Sequence, residues 1–273
     1  MGFRDKVVIV TGGSAGIGHA LAWWLAQHGA QVVLTSRDEA VASEVAGELA
    51  QRGRQVEGAG LDVRDAEAFA ELAQRVRAER GSLDMLFNNA GIGLAGNVRD
   101  MKVEDWRDVV DVNLWGVIHG VHAVYPIMLE QGSGHIVNIS SAAGLLPRPG
   151  MVAYAASKHA VTGLSVSLCA EAEPLGVKVS VACPGFIETE IFERTQYVGI
   201  DAKGLLDDNP IKPMSARDCA LEILQGVSEG KAVIPVTTPT HLEWYLSRLS
   251  PHWSIKLAGV RARAFSKHRK DED

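Results

Sequence analysis

Apolar positions along the chain follow two alternating periods. Short β-branched runs read as buried strands: Lys6 to Thr11 (KVVIVT), Gln31 to Ser36 (QVVLTS), Gln55 to Leu61, Leu83 to Phe87, His135 to Ile139, Val177 to Cys183 and Lys231 to Val236. Segments of helical period lie between them: His19 to His28, Asp38 to Arg52, Asp65 to Arg80, Val103 to Gln131, Ala153 to Glu173 and Ser215 to Ser228. Asp38 and Ser215 are N-cap residues by type, Gly29 and Gly53 are stops, and Pro174 with Gly176 closes the helix before them. Strands alternating with helices predict an α/β fold: a doubly wound, Rossmann-type parallel sheet of seven strands flanked by helices, in one domain over residues 5–236. Within 103–131, Asn113 and Gly116 interrupt the apolar stripe, and two poor mid-helix residues so close predict a kink or a water site.

Two stretches break the alternation. Phe186 to Met214 is long, mixes Ile187, Ile191, Phe192, Tyr197 and Leu205 with charge, and is closed by Pro210 and Pro213, which predicts a substrate lid over 186–214. Its apolar residues suit an apolar substrate, and equally suit packing of the lid on the core. Residues 237–273 form a helical, basic extension: Leu242, Trp244, Tyr245, Leu246 and Leu249, then Trp253, Ile255, Leu257 and Val260, then Arg261 to Lys270. An apolar stripe followed by bases fits peripheral contact with a membrane surface, or packing on the chain itself or on a neighbouring subunit.

Composition narrows the partners. The 273-residue chain is 47% hydrophobic and 22% charged, enough for one large core, and its net charge of −6 excludes nucleic acid as the main partner. No run of eighteen apolar residues predicts a transmembrane segment, and Met1 to Lys6 lacks the order of a signal peptide, so a cytoplasmic chain is expected. Cys169, Cys183 and Cys219 are widely spaced and odd in number, which fits reduced thiols. His119 and His122 have no third ligand placed with them, so no metal is expected.

The chemistry gathers at the ends of the strands. The first runs directly into Gly12, Ser14, Gly16, Ile17 and Gly18 before a helix, a turn whose glycines admit a pyrophosphate to the free N–H groups of the helix start. The second ends at Ser36 and Arg37, where an acidic residue would bind adenosine ribose hydroxyls; a guanidinium there grips a 2′-phosphate, so NADP(H) is favoured over NAD(H). The fifth ends at Ser141, thirteen residues before Tyr154. Tyr154 and Lys158 stand one helical turn apart, close enough for the ammonium to draw down the phenol's pKa by roughly 1 to 3 units and make it a proton donor.

Taken together, Thr11-Gly12-x-x-x-Gly16-x-Gly18, Asn88-Asn89-Ala90-Gly91, Asn113, Ser141, Tyr154-x-x-x-Lys158 and Pro184-Gly185 with Thr189 resemble the short-chain dehydrogenase/reductase family over roughly residues 5 to 236. The resemblance implies an oxidoreductase passing hydride between a nicotinamide cofactor and a carbonyl or secondary alcohol. It implies Tyr154 as catalytic acid/base, Lys158 as its partner and the holder of the nicotinamide ribose, Ser141 as the group orienting the substrate, and Asn113 as the anchor of a water relay. Asp62 and Val63 would line the adenine, and Asn89, Ala90 and Gly91 the adenosine-side ribose. Pro184, Gly185, Ile187 and Thr189 would meet the carboxamide. Substrate would touch Ser141, Tyr154, Phe186, Ile191 and Phe192. A homodimer or homotetramer through the helices around 103–131 and 153–173 is also implied. A cofactor-binding sensor or scaffold that does no chemistry is the competing reading; such proteins typically lack part of the Ser/Tyr/Lys set that this chain has in full.

Overall fold

The computed structural model describes residues 2–208 and 211–270; Pro210 of the expected lid and the last three residues of the tail lie outside them. Seven parallel strands form the central sheet: β1 Val7–Val10, β2 Gln31–Ser36, β3 Val56–Gly60, β4 Met85–Asn88, β5 Gly134–Ile139, β6 Val177–Pro184 and β7 Val233–Val236. Their spatial order is β7-β6-β5-β4-β1-β2-β3, with Val8 of β1 beside Val32 on one side and Met85 on the other. The chain therefore winds outward in both directions from β1 and β4. That reversal opens a crevice beyond their carboxyl ends, where doubly wound folds bind ligands.

The period-2 side-chain pattern of the strands explains why both faces are covered. Val8 and Val10 enter one core with α1 (Gly16–Gln27), α2 (Glu39–Leu49) and α7 (Ala216–Ser228). Val7 and Ile9 enter the other with α3 (Ala66–Arg80) and α5 (Gly116–Gln131). Asp38 and Asp65 cap α2 and α3, each accepting from two backbone N–H groups at the helix start, including Ala40 N at 2.9 Å and Glu67 N at 3.0 Å.

His135 of β5 is buried against Ser180, with Nε2 2.8 Å from Oγ. Burial, helped by the charge of Lys178, pulls its pKa down to about 4. The unfolded chain therefore takes up this proton first, and the contribution is present above the ordinary value of 6.5 and lost as the pH falls toward 4. About 2 to 3 kcal/mol of stability is expected to disappear across that window. His135→Gln should flatten the fall, read as the urea midpoint against pH; an unchanged profile would assign the acid sensitivity elsewhere.

The long apolar segment forms a single helical run, Val103–Gln131, of a length and composition that would also cross a membrane. A core helix passes the same test: Val117, Val124, Ile127 and Met128 are buried against the sheet. The interruption expected at Asn113 is a π-helical turn, Asp111–Trp115, between α4 (Val103–Val110) and α5. After α6 (Val152–Ala172) and β6, the segment 186–214 carries two short helices, Ile191–Arg194 and Ala202–Asp207. Parallel pairing of Ile187–Glu188 with Met214–Ser215, and of Gln196–Val198 with Leu94–Gly96, ties it to the body.

The extension folds as α8 (Thr238–Leu249) and α9 (Pro251–Ser266), joined at Ser250. Its end returns to the segment 186–214: Asp201 N donates to His268 O at 2.8 Å and Lys270 N to Gly199 O at 3.0 Å. Arg269 donates twice to Asp100, from Nε at 3.2 Å and Nη2 at 3.0 Å.

Candidate active site

Four loops leave the carboxyl rim of the sheet side by side, after β1, β4, β5 and β6. In the first, Gly12 has φ +62, a left-handed conformation that suits glycine. A Cβ on Gly18 would collide with Gly12 O and with Asn89 Nδ2, so α1 can start this close to the strand only without a side chain there. Thr11 ties this turn to the loop after β4: its Oγ1 accepts from Asn89 N at 2.9 Å and Ala90 N at 3.1 Å. Asn89 Nδ2 donates back to Thr11 O at 3.0 Å and Gly12 O at 3.1 Å. A bare backbone cradle at a helix N-terminus is what a pyrophosphate needs, so these residues fit a dinucleotide.

The reacting groups lie further along the rim. Tyr154 and Lys158 are both buried, 9% and 4% exposed, and Lys158 Nζ stands 5.8 Å from the Tyr154 ring centre. Ser141 caps its own loop through Ala143 N at 3.1 Å and faces the Tyr154 phenol. Burial raises the Tyr154 pKa, with Ser141 opposing it, and pulls Lys158 down to about 8. The sequence reading, a phenol drawn down by its lysine, is corrected here. Lys158 donates to Ile139 O at 3.0 Å, and the dry surroundings of the phenol disfavour phenolate. The chain's own groups keep the phenol protonated.

Asn113 is fully buried in the π-helical turn. It clamps the loop after β4 by accepting from Ile92 N at 2.8 Å and donating to Ile92 O at 3.0 Å and Ser157 Oγ at 3.3 Å. Ser157 donates in turn to Tyr154 O at 2.7 Å. A Cβ on Gly91 would stand 3.1 Å from Asn113 Oδ1 and 3.4 Å from Lys158 Nζ, so the three positions share one small space. Asn113→Ala leaves both backbone groups of Ile92 without these bonds. It is expected to cost about 2 to 3 kcal/mol, checked by urea unfolding; a loss below about 0.5 kcal/mol would mean that water replaces the clamp.

The short chain dehydrogenase family profile matches residues 6–197. The chain belongs to that family. It is 37% identical over 269 residues to the probable oxidoreductase EphD of Mycobacterium tuberculosis, an alignment covering 95% of this chain and 45% of that protein. The chain thus spans about half the length of the mycobacterial relatives it matches. It is 38% identical over 191 residues to the 3-oxoacyl-[acyl-carrier-protein] reductase FabG of Escherichia coli, covering 70% of this chain and 77% of that one. Among solved structures, a short chain dehydrogenase/reductase from Burkholderia phymatum in complex with NAD superposes with a TM-score of 0.83 at 31% identity, covering 94% and 96% of the two chains.

The dehydrogenase fold brings together most of the positions picked out in the sequence and redistributes some of their duties. Ser14 and Ile17 lie in the phosphate turn, half-buried, and Ser36 with exposed Arg37 ends β2 beside Asp62. Asp62 has a partner within the chain: Arg64 donates to it at 3.0 Å and 2.5 Å and holds its carboxyl below the usual range, with a smaller lowering from Arg37. Val63 is buried and its carbonyl meets His119 Nδ1 at 2.9 Å, which gives that histidine a structural partner. Pro184 ends β6 and Gly185 follows it, and Pro184 O lies 3.5 Å from Ser141 Oγ. After β6, the Phe186 and Phe192 rings stand 4.9 Å apart with Ile191 between them in sequence, and Ile187 enters the core instead.

Three contributors lay outside the residues chosen from the sequence. Thr11 is the anchor of the phosphate turn, and its signal was a hydroxyl at the last strand position before the glycines. Ser157 supports Asn113 and Tyr154, a role that no spacing reveals. Glu190 sits over the cradle: a Cβ on Gly16 would stand 3.0 Å from Thr189 Cγ2 and 3.5 Å from Glu190 Oε2. A carboxylate there faces the positive end of α1. Among the described residues, no three His, Cys, Asp or Glu side chains gather as a metal site requires.

Proposed function

We propose that the chain interconverts a carbonyl and a secondary alcohol using NADP(H) in preference to NAD(H), on an apolar substrate. The observation that carries this is a buried Tyr154 facing Ser141, with Lys158 one turn along the same helix, at the rim beside a phosphate cradle. Gly12, Gly16 and Gly18 would hold the pyrophosphate, Arg37 the adenosine end, and Lys158 the nicotinamide ribose. When bound, the nicotinamide supplies or accepts the hydride. Ser141 orients the substrate oxygen toward Tyr154, which delivers its proton to that oxygen during reduction and removes it during oxidation.

The cofactor preference rests on Ser36 and Arg37, where no acidic side chain stands to repel a 2′-phosphate. The apolar substrate rests on the Phe186 and Phe192 pair with Ile191. Residues 5–236 would form the catalytic unit, with 186–214 as lid and 237–273 as extension. Homo-oligomerisation through α5 and α6 is supported by the exposed Leu129, Val152 and Val166 and by a groove lined by Ile118, Val121, Tyr125 and Leu164. A cytoplasmic location suits the free thiols of Cys169, Cys183 and Cys219.

NADPH oxidation against ketones and aldehydes, from small polar to steroid-sized and long-chain, tests the proposal. Turnover rising with substrate apolar surface is expected. Tight NADPH binding without turnover in either direction would overturn it.

A further inference from the structure

We propose that the hairpin of α8 and α9 is a docking surface for an anionic lipid bilayer. On α8, Leu242, Tyr245, Leu246 and Leu249 recur at helical spacing and are all exposed, Leu249 to 83%. On α9, Trp253, Leu257 and Val260 form a second exposed stripe, Trp253 at 70%. Solvent-facing apolar side chains this numerous on two adjacent helices are a patch that calls for a partner.

The two stripes face the same side. Glu243 of α8 and Arg261 of α9 form an ion pair across the hairpin. At about 100° per residue, each stripe lies roughly a quarter-turn before the ion-pair residue of its own helix. In two helices that fold back on each other this sets both stripes on one face of the hairpin.

Charge selects the occupant. The extension, residues 237–273, carries seven Lys and Arg against four acidic residues, Glu243 and the terminal Asp271, Glu272 and Asp273, a net positive segment on a chain whose net charge is −6. Exposed Lys256, Arg263 and Lys267 run along α9 at helical spacing beside its apolar stripe, and the Lys256 ammonium lies 5.5 Å from the Trp253 ring centre. A second copy pairing through the same face would set this row of bases against itself. An anionic headgroup layer over an apolar interior satisfies both the bases and the stripes, and tryptophan and tyrosine suit the boundary between them.

The segment that docks also holds the lid, since the residues just after α9 bond to Gly199 and Asp201 and clamp Asp100. Docking would therefore set the lid at the bilayer surface. This last step rests on the lid reading above; the docking itself does not.

Co-sedimentation of the full chain with vesicles of phosphatidylcholine alone, or of equal parts phosphatidylcholine and phosphatidylglycerol, tests the proposal. Binding to the anionic vesicles is expected to exceed binding to the neutral ones at least tenfold at low salt, an excess of roughly the size that a few juxtamembrane bases supply. Lys256→Glu with Arg263→Glu and Lys267→Glu should weaken it roughly a hundredfold. Leu249→Gln with Trp253→Gln should abolish it even at low salt while leaving turnover of a water-soluble ketone unchanged. Equal binding to both vesicle types, or none, would overturn the proposal. So would light scattering in which the Leu249→Gln, Trp253→Gln pair splits an oligomer while the parent chain ignores anionic vesicles, because a second copy would then cover the face. Vesicle binding without turnover on any carbonyl would support the docking and overturn the catalytic reading instead.

Discussion

Tyr154→Phe is expected to lower turnover by about 10² to 10⁴, the scale of general acid-base help from one positioned group. NADPH affinity should stay within about twofold, because the change touches proton delivery and not the ground-state contacts of the cofactor. The substitution suits this comparison because phenylalanine keeps the ring that packs among Leu94, Val109 and Ala153 and removes only the oxygen that Ser141 meets. The pH dependence sharpens it. Burial raises the Tyr154 pKa, so reduction by the parent chain should persist through neutral pH and decline only as the phenol ionises, while oxidation should rise over the same range. Residual turnover in the variant should lack that limb. Full turnover in Tyr154→Phe, measured by single-turnover absorbance of NADPH, would remove Tyr154 from the chemistry.

Arg37→Glu should change the preference between NADPH and NADH by roughly a thousandfold, since it removes a charge-assisted grip on the 2′-phosphate and installs a repulsive carboxylate in its place. The same carboxylate would accept from the ribose hydroxyls of NADH, so NADH affinity is expected to hold or improve. Arg37 is exposed at the end of β2, and its charge already reaches Asp62, so the substitution perturbs no buried contact. Dissociation constants for both cofactors, at one ionic strength, check this. An equal loss for the two would sink the assignment of Arg37 to the 2′-phosphate and leave it stacking on adenine or lying in solvent.

How far the chain could be read from its residues differs by position. The alternation of β-branched runs and amphipathic segments, the capping by Asp38 and Ser215, and the glycine turn after β1 were legible because each is settled within a few residues. The break at Asn113 was legible as a break, yet the sequence could not name what the side chain does there. Its partner Ile92 lies 21 residues away in a loop after a different strand. Arg64, two residues from Asp62, shows the same limit at short range: a motif marks Asp62 as an adenine contact, and the folded loop gives its carboxylate a resident guanidinium.

The residues by themselves determined the strand-helix order, the glycine cradle and the one-turn pairing of Tyr154 with Lys158, because periodicity and turn chemistry act locally. Only the tertiary structure decided that burial raises the pKa of Tyr154, that Glu190 lies over the phosphate turn, and that the end of the tail returns to Gly199 and Asp201. Desolvation sums over every group packed around an atom, and those groups come from segments far apart in the chain.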